Sequence, residues 1–277
     1  MLRCGGAVNG FAPTAPPDDA VPTPAGSGEG IAMHRIRIIR YAGGNAPRWL
    51  YFHLDETPGT VPVGMFCWLV EGPGGPILVD TGAREEETVA RYGDRFRYPE
   101  WPDPVALVSR HVDPADVRWL VITHVHWDHC SHNVERYPNA TVVMQRRDLE
   151  ARLYPPHPSF RELCFADYLD VIQKRLGERL WLIDGDAQIV PGVSTLAVGG
   201  HTLGHQAVLV DTAAGRVAIA SDLVPAYENI ERDVATCLHE DLLQCYRGME
   251  RIRRHSDLVL PGHDARQMER HPGGIVE

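Results

Sequence analysis

The sequence lacks the features that mark a membrane-spanning or secreted protein. No apolar run approaches the ~20 residues that a membrane-spanning helix needs, so no membrane is expected as a partner. Residues 1–30 contain no apolar core segment of the kind found in a secretory signal peptide. No internal repeat is visible along the chain. These absences predict a globular protein of the cytoplasm.

Paired cysteines and an excess of basic residues are also missing. The six cysteines form no C-x-x-C pair, and in a chain of 277 residues we expect free thiols in a reducing compartment. Acidic residues outnumber basic ones by 37 to 27, and the formal net charge is −10. Because a nucleic-acid backbone is bound by clustered Lys and Arg, this charge argues against nucleic acid as a partner.

The sequence does contain enough apolar material for one large domain, since 44% of its residues are hydrophobic. Residues 1–30 are rich in Pro, Ala and Gly and are predicted to form a disordered tail. From residue 31 to residue 277, short apolar runs alternate with charged segments compatible with helices, which indicates a layered α/β fold. Two aromatic-rich runs, Trp49–Leu54 and Val63–Val70, are predicted as strands.

The densest chemical signal is the stretch Thr123–Cys130, T-H-V-H-W-D-H-C, which follows an apolar run. Four potential metal ligands lie within six residues: His124, His126, Asp128 and His129. Imidazole nitrogens and carboxylate oxygens suit zinc and similar metals. Alternate residues at a strand end share a face, so His124 and His126 can reach one ion. Asp128 and His129 follow where the chain turns, and can point at a second ion.

Three further ligand-type residues lie at the ends of predicted strands later in the chain: His201, Asp222 and His263. Glycines beside His201 and His263 allow tight turns that aim a side chain back over a sheet edge. Each of the three alone is a weak signal, because a lone histidine is more often a satisfied polar group than a ligand. Their order after the H-x-H-x-D-H motif makes the combination much stronger.

This combination of residues resembles the metallo-β-lactamase superfamily over residues 31–277. The resemblance implies an αββα sandwich, in which two mixed β-sheets pack together with helices outside. It also implies two divalent metal ions, with zinc expected. His124, His126 and His201 would bind the first ion, Asp128, His129 and His263 the second, and Asp222 would bridge both. A metal-bridging hydroxide would attack a carbonyl, and Asp128 would pass a proton to the leaving group.

Two other segments match features of the superfamily. The strand that ends in Asp80-Thr81-Gly82 resembles a motif whose aspartate supports the metal loop, and a cap or turn role for Asp80 is the alternative. His205 matches a histidine that does not contact metal in relatives. The segment Leu153–Phe165 is predicted to open a helix that runs past Tyr168 to about Leu176. The segment is either a lid over the metals or a surface insertion.

The segment Ile219–Asn229 resembles the bridging-aspartate region of the N-acyl-homoserine lactonase branch. In that branch, a tyrosine shortly after the bridging aspartate hydrogen-bonds the substrate carbonyl. Here Pro225 occupies the usual position and the tyrosine, Tyr227, is displaced by two residues. Tyr227 is therefore predicted as a catalytic residue, and the alternative is a half-buried loop aromatic.

The expected function is a hydrolase that opens a small lactone ring of the acyl-homoserine type, a quorum-quenching activity. A glyoxalase-II-like thioesterase or another ester hydrolase of the superfamily is the main alternative, because it uses the same ligands. A non-catalytic metal-binding protein or a redox protein is the alternative of a different class. The expected partner is a small-molecule lactone or ester, and a homodimer is left open.

Overall fold

The computed structural model describes residues 33–165, 172 and 179–277. The predicted tail, residues 1–30, lies outside the described residues, and so do Tyr168 and most of the helix predicted to reach Leu176. In chain order the strands are β1 Arg35–Pro47, β2 Thr60–Glu71, β3 Ile77–Val79, β4 Trp119–Val121, β5 Thr141–Gln145, β6 Leu180–Ile183, β7 Ala187–Val190, β8 Val193–Ala197, β9 Gln206–Thr212, β10 Gly215–Ser221, β11 Leu258–Pro261 and β12 Ile275–Val276. The α-helices are α1 Arg48–Tyr51, α2 Glu85–Tyr92, α3 Pro104–Val108, α4 Arg146–Leu153, α5 Tyr227–Glu231, α6 Leu242–His255 and α7 Gln267–Arg270.

The strands of the described residues form two mixed sheets. The first sheet has the order β12-β1-β2-β3-β4-β5-β6, and its strands from β3 to β6 run parallel. The second sheet has the order β11-β10-β9-β8-β7, with β10 and β11 parallel and the other pairs antiparallel. Both sheets therefore contain parallel and antiparallel pairs, as predicted.

The two sheets pack face to face and carry helices on their outer faces. Alternate residues such as Val79 and Val121 of the first sheet meet Val208 and Ile219 of the second in one apolar cluster. The residues between them, such as Leu78 and Leu120, point to the other face of the first sheet and pack with Val105 and Val108 of α3. Helix α6 covers the second sheet through Met249 and Ile252. This order of layers confirms the predicted αββα sandwich.

The direction of the strands places several loops at one edge of the sandwich. Strands β3, β4 and β5 are parallel, so their carboxyl ends lie side by side. In the second sheet β8 and β10 both run antiparallel to β9, so they share a direction with each other and with β11. A hydrogen bond of 3.0 Å from the N–H of Gln206 to the carbonyl of Thr123 joins the two sheets at this edge.

The prediction of a strand at Trp49–Leu54 is wrong. Strands β1 and β2 form one long hairpin that pairs as far as Pro47 and Thr60, and the helix α1 occupies its tip. Tyr51 and Phe52 are buried in a small apolar cluster with Val63. A short apolar run is equally compatible with a strand and with a buried helical turn, and here packing at the hairpin tip selects the helix.

Helix α6 begins at Leu242, because the side chain of Asp241 accepts a hydrogen bond from the N–H of Gln244 and caps the helix. Cys130 packs in the apolar cluster on the outer face of the first sheet. The five cysteines within the described residues are free thiols. None of the described helices is both long and apolar enough to span a membrane.

Candidate metal centre

The structure brings together all seven residues predicted as metal ligands. They form two clusters that share Asp222, and within each cluster the ligand atoms lie within 4.8 Å of one another. The first cluster contains His124, His126, His201 and Asp222, and the second contains Asp128, His129, Asp222 and His263. These are the two groups predicted for two ions with a bridging aspartate. Metal binding itself stays a prediction.

The first cluster presents three imidazole nitrogens to one point. Nε2 of His124 lies 3.1 Å from Nδ1 of His126, and Nε2 of His201 lies 3.2 and 3.0 Å from these two atoms. Nδ1 of His201 faces the carbonyl of Leu238 at 2.6 Å and must carry its proton there. Nδ1 of His124 faces the hydroxyl of Thr123 at 3.1 Å. With these tautomers the facing Nε2 atoms carry lone pairs, which is the arrangement that a cation requires.

The second cluster alternates imidazoles with carboxylates. Oδ1 of Asp222 lies 3.1 Å from Nε2 of His129 and 3.0 Å from Nε2 of His263, and Oδ2 of Asp128 lies 3.4 Å from both nitrogens. Nδ1 of His263 faces the carbonyl of Gly64 at 3.0 Å, so its Nε2 also presents a lone pair. Nε2 of His129 and Oδ1 of Asp222 are buried and have no hydrogen bond within the described structure. A divalent cation fits this donor set.

The two clusters differ in their electrostatic surroundings. Burial lowers the pKa of His124 and of His201, which keeps these imidazoles neutral and available as ligands. Burial also acts to lower the pKa of His129, but the carboxylates of Asp222 and Asp128 outweigh it and raise the pKa well above its usual value. The second cluster therefore favours a positive charge, which either a proton or a metal ion can supply.

Asp80 holds the metal motif from the end of β3. Its carboxylate accepts hydrogen bonds from the N–H and the hydroxyl of Thr123, both at 2.8 Å, and lies 2.7 Å from Nδ1 of His129. Asp80 is fully buried. This contact fixes the tautomer and the ring orientation of His129, which is the supporting role predicted for Asp80. His205 packs beside His124 and bonds the carbonyl of Ala220, outside both clusters.

A tight turn aims Asp222 into the site. Ser221 adopts a left-handed conformation with φ of 48°, and Asp222 follows directly. Gly262 packs against this turn so closely that a Cβ at its position would lie 2.4 Å from Oδ1 of Asp222. Glycine at residue 262 therefore leaves room for the shared ligand next to His263.

A cavity of about 460 Å³ lies over the two clusters. Asp128, Asp222 and His263 are among its polar lining residues. Most of the remaining lining is apolar or aromatic, and it includes Trp49, Leu50, Tyr51, Met65, Tyr98, Trp127, Leu163 and Leu238. Such a lining suits a ligand with an uncharged, apolar part.

The segment from Leu153 to Phe165 contributes one wall of this cavity. Leu163 lines the cavity, and its carbonyl accepts a hydrogen bond of 2.8 Å from the N–H of Trp127 in the metal motif. Cys164 and Phe165 are buried. These contacts support the predicted role in shaping the pocket over a role as a surface insertion.

The structure places Tyr227 away from the cavity. Its hydroxyl lies 3.5 Å from Nε2 of His271, and the guanidinium of Arg270 lies 3.8 Å from its ring centroid. Pro225 lines the cavity, whereas Tyr227 does not. The predicted substrate contact of Tyr227 stays a prediction that the lining of this cavity does not support, since the buried side chain packs against Arg270 and His271 instead.

Two tyrosines that line the cavity, Tyr51 and Tyr98, are given no role in the reaction by the sequence alone. Tyr51 packs edge-on against His263 with ring centroids 6.1 Å apart, and Tyr98 lies beside it in the lining. Both are far from the motifs in sequence, and Tyr51 belongs to the run that was predicted as a strand. No local pattern identifies them, since only the fold of the hairpin tip brings Tyr51 to the site.

Comparison with known proteins assigns the family. The family model "Metallo-beta-lactamase superfamily" matches residues 61–263. The chain is 31% identical over 227 residues to an N-acyl homoserine lactonase of Bacillus cereus, a match that covers 76% of this chain and 86% of the relative. It is 27% identical over 226 residues to an N-acyl homoserine lactonase of Bacillus thuringiensis, with the same coverage.

Solved structures show the same fold. A quorum-quenching N-acyl homoserine lactone lactonase superposes with a TM-score of 0.70 at 24% identity, covering 86% of this chain and 95% of the other. An N-acyl homoserine lactone hydrolase with the product N-hexanoyl-L-homoserine at its catalytic metal centre also gives 0.70 at 24% identity, over 86% and 96% of the two chains. A dizinc quorum-quenching lactonase gives 0.63 at 13% identity, over 85% and 91%.

Proposed function

The chain belongs to the metallo-β-lactamase superfamily, and we propose that it is a lactonase that opens the ring of an N-acyl homoserine lactone or a similar small lactone. Its relatives are named lactonases, which are hydrolases of ester bonds, and the chain is a hydrolase of this class. The observation that carries the proposal is the pair of His and Asp clusters on the polar side of a mainly apolar cavity.

The seven clustered residues are proposed to hold two divalent ions. His124, His126 and His201 would hold the first, Asp128, His129 and His263 would hold the second, and Asp222, which belongs to both clusters, would serve either ion. Two ions bound there would lower the pKa of a water toward ~7 and polarise the substrate carbonyl. Imidazole and carboxylate ligands of this kind favour zinc.

Asp128 is the proposed proton carrier. It lines the cavity and also belongs to the second cluster, so its carboxylate can reach both the reacting bond and the ligands. The hydroxyl of Tyr41 donates a hydrogen bond of 2.8 Å to the backbone carbonyl of Asp128 and holds the residue in place. In ring opening, Asp128 would deliver a proton to the alkoxide oxygen that leaves the carbonyl carbon.

Tyr51 is proposed to orient the substrate in place of Tyr227. It lines the cavity beside His263, and burial, with Tyr98 and Asp222 adding to it, raises its pKa well above the usual value. A phenol with a raised pKa stays protonated at neutral pH and can donate a hydrogen bond to a carbonyl.

The lining of the cavity favours a lactone over the thioester of an anionic carrier. Such a carrier needs basic residues at the mouth of the site. Among the described residues, Arg97 is the arginine in the cavity lining, and its guanidinium pairs with Asp94 at 3.0 Å. The apolar lining instead suits the acyl chain of a neutral lactone.

Acid release in a weakly buffered solution tests the proposal. The zinc-loaded chain is compared on N-hexanoyl-L-homoserine lactone, a glutathione thioester and a β-lactam, with His263→Ala as the control that loses a proposed ligand. We expect rapid turnover of the lactone and little turnover of the others. Turnover of the thioester alone would replace the lactone proposal with the thioesterase alternative. Zinc binding with no turnover of any substrate would favour a non-catalytic role.

A further inference from the structure

We infer that Asp148 is a positioning residue that holds together the two loops carrying the histidines of the first cluster. It belongs to α4, just after β5, and is not one of the seven clustered residues. The inference rests on the proposed metal site but not on the proposed substrate. It extends that proposal, because a residue that is not itself a proposed ligand would set the positions of the histidines in the first cluster.

The carboxylate of Asp148 bonds to both loops at once. One oxygen, Oδ2, accepts a hydrogen bond of 2.9 Å from the N–H of Val125, the residue between His124 and His126. The other oxygen, Oδ1, accepts a hydrogen bond of 3.2 Å from the N–H of Gly204, three residues after His201. Asp148 is only 1% exposed, so water does not compete for these bonds. One side chain therefore sets the distance between the two loops.

The second loop is packed directly against the backbone of Asp148. A Cβ built on Gly204 would lie 2.4 Å from the backbone nitrogen of Asp148 and 2.5 Å from its Cβ. Because real Cβ atoms do not approach backbone atoms so closely, this contact requires glycine at residue 204. The contact leaves the loop little freedom to shift relative to α4.

Arg152 and Glu240 also help to hold the loop of His201 against α4. Arg152, one turn along α4 from Asp148, is fully buried, and its Nη2 lies 2.6 Å from Oε1 of Glu240. The other oxygen of Glu240 accepts a hydrogen bond of 2.7 Å from the N–H of Leu203, next to Gly204. The guanidinium thus balances the buried charge of Asp148 and ties a second acceptor to the loop of His201.

Asp80 and Asp148 each support a different part of the Thr123–Cys130 motif. Asp80 accepts the N–H of Thr123 and contacts His129 of the second cluster. Asp148 accepts the N–H of Val125, so the two carboxylates hold the backbone on either side of His124. Loss of Asp148 should therefore loosen the first cluster and leave the second largely intact.

Zinc affinity, measured without substrate, tests this division. Competition with a chromophoric chelator gives the Kd for Zn²⁺ in two backgrounds: His263→Ala, which isolates the first cluster, and His201→Ala, which isolates the second. Asp148→Asn keeps the shape but turns an amide NH₂ toward a backbone N–H. We expect it to weaken zinc binding by about 10–100-fold in the first background and by less than about threefold in the second.

Asp186→Asn is the matched control. Asp186 is also a carboxylate with a largely covered side chain, 8% exposed, that accepts a backbone N–H, from Ala197 at 2.8 Å, and pairs with an arginine, Arg251, at 2.6 Å. It should lower thermal stability without changing either zinc Kd. Glu240→Ala, at a more exposed position, is the second variant if Asp148→Asn folds poorly, and it should weaken the first cluster to a smaller extent.

Three outcomes are distinguishable. Selective weakening of the first cluster supports the inference. Unchanged zinc binding in both backgrounds, or equal weakening in both, overturns it while leaving the proposed metal site intact. Absence of zinc binding in the unaltered chain would instead contradict the proposed metal site itself.

Discussion

At the scale of single residues, the tyrosine hydroxyls around the site have distinct tasks. The hydroxyl of Tyr41 is committed to the backbone of Asp128, and that of Tyr227 lies beside His271. Tyr51 is in the cavity lining, next to His263. Position relative to the cavity, and not distance in sequence from Asp222, therefore separates Tyr51 and Tyr98, which can contact a substrate, from Tyr41 and Tyr227.

Exchange of tyrosine for phenylalanine tests this selection. Tyr51→Phe should lower kcat/KM for the lactone by up to about tenfold, because it removes one hydrogen bond worth ~0.5–1.5 kcal/mol. Tyr227→Phe is the matched control and should change kcat/KM by less than about twofold, since its hydroxyl lies outside the cavity. A larger loss of kcat/KM for Tyr227→Phe than for Tyr51→Phe would support the catalytic role of Tyr227 that the sequence predicts.

Asp128 is the residue at which ligation and proton transfer can be separated. Asp128→Asn keeps a ligand oxygen but cannot carry a proton, so kcat should fall by about 10²–10⁴-fold. Binding of the hydrolysed product, measured by calorimetry at full zinc occupancy, should fall by less than about tenfold. Equal losses in both measurements would mean that Asp128 serves mainly as a ligand.

At the scale of elements, the tip of the β1–β2 hairpin forms one wall of the cavity and is anchored by ion pairs. Arg48, the first residue of α1, donates two hydrogen bonds to Glu228 of α5, at 3.0 and 3.2 Å. It also lies 3.0 Å from Asp55, in the loop between α1 and β2. These contacts fix α1, which carries Trp49 and Tyr51, against the end of the second sheet.

The stability that the ion pair between Arg48 and Glu228 gives to the fold should depend on pH. The hydrogen bond from Arg48 lowers the pKa of Glu228. A carboxylate whose pKa is lowered by folding stabilises the fold above its unfolded pKa, ~4.3, and loses this effect as pH falls through the lower folded value. Arg48→Met should therefore reduce the melting temperature by about 2–4 °C at pH 7, and the difference should shrink below about pH 4.

Thermal unfolding of both proteins between pH 3 and pH 8 measures this difference. Arg146→Met is the control, because Arg146 and its partner Asp184 are both well exposed and their ion pair should contribute little at any pH. A melting-temperature difference that stays constant across this range would rule out the ion pair as its cause.

At the scale of the whole molecule, the candidate metal centre lies where the two sheets are joined. The motif after β4 belongs to the first sheet, whereas His201, Asp222 and His263 follow strands of the second. The hydroxyls of Thr123 and Ser221 also meet across this boundary at 3.0 Å. Bound ions would therefore cross-link the sandwich as well as supply its chemistry.

Metal removal should then destabilise the fold. A ligand that binds only the native state, present at about 100 times its Kd, raises the free energy of unfolding by ~2.7 kcal/mol. In a domain of this size, that increase raises the melting temperature by about 5–10 °C. Calorimetry with and without a chelator measures the shift. The double variant His201→Ala, His263→Ala, which lacks a ligand in each cluster, should show no such shift. An unchanged melting temperature of the unaltered chain would argue against structural coupling.

The seven candidate metal ligands could be picked out in the sequence because their chemistry is local. Four of them share the Thr123–Cys130 motif, and the other three follow strand ends, with a glycine beside His201 and beside His263. The αββα arrangement came from the family resemblance and not from periodicity, since alternation identifies strands but not their partners. The structure confirms this fold and brings the seven residues together.

Only the tertiary structure determines the contacts between segments that are distant in sequence. Tyr51 reaches the cavity because the tip of the β1–β2 hairpin forms a helix, which a short apolar run does not distinguish from a strand. Asp148 meets Gly204 across 56 residues, through a backbone contact that leaves no pattern in the sequence. Ligand type is set by the residue itself, whereas the direction in which a side chain points and the loop it supports depend on how separate elements pack.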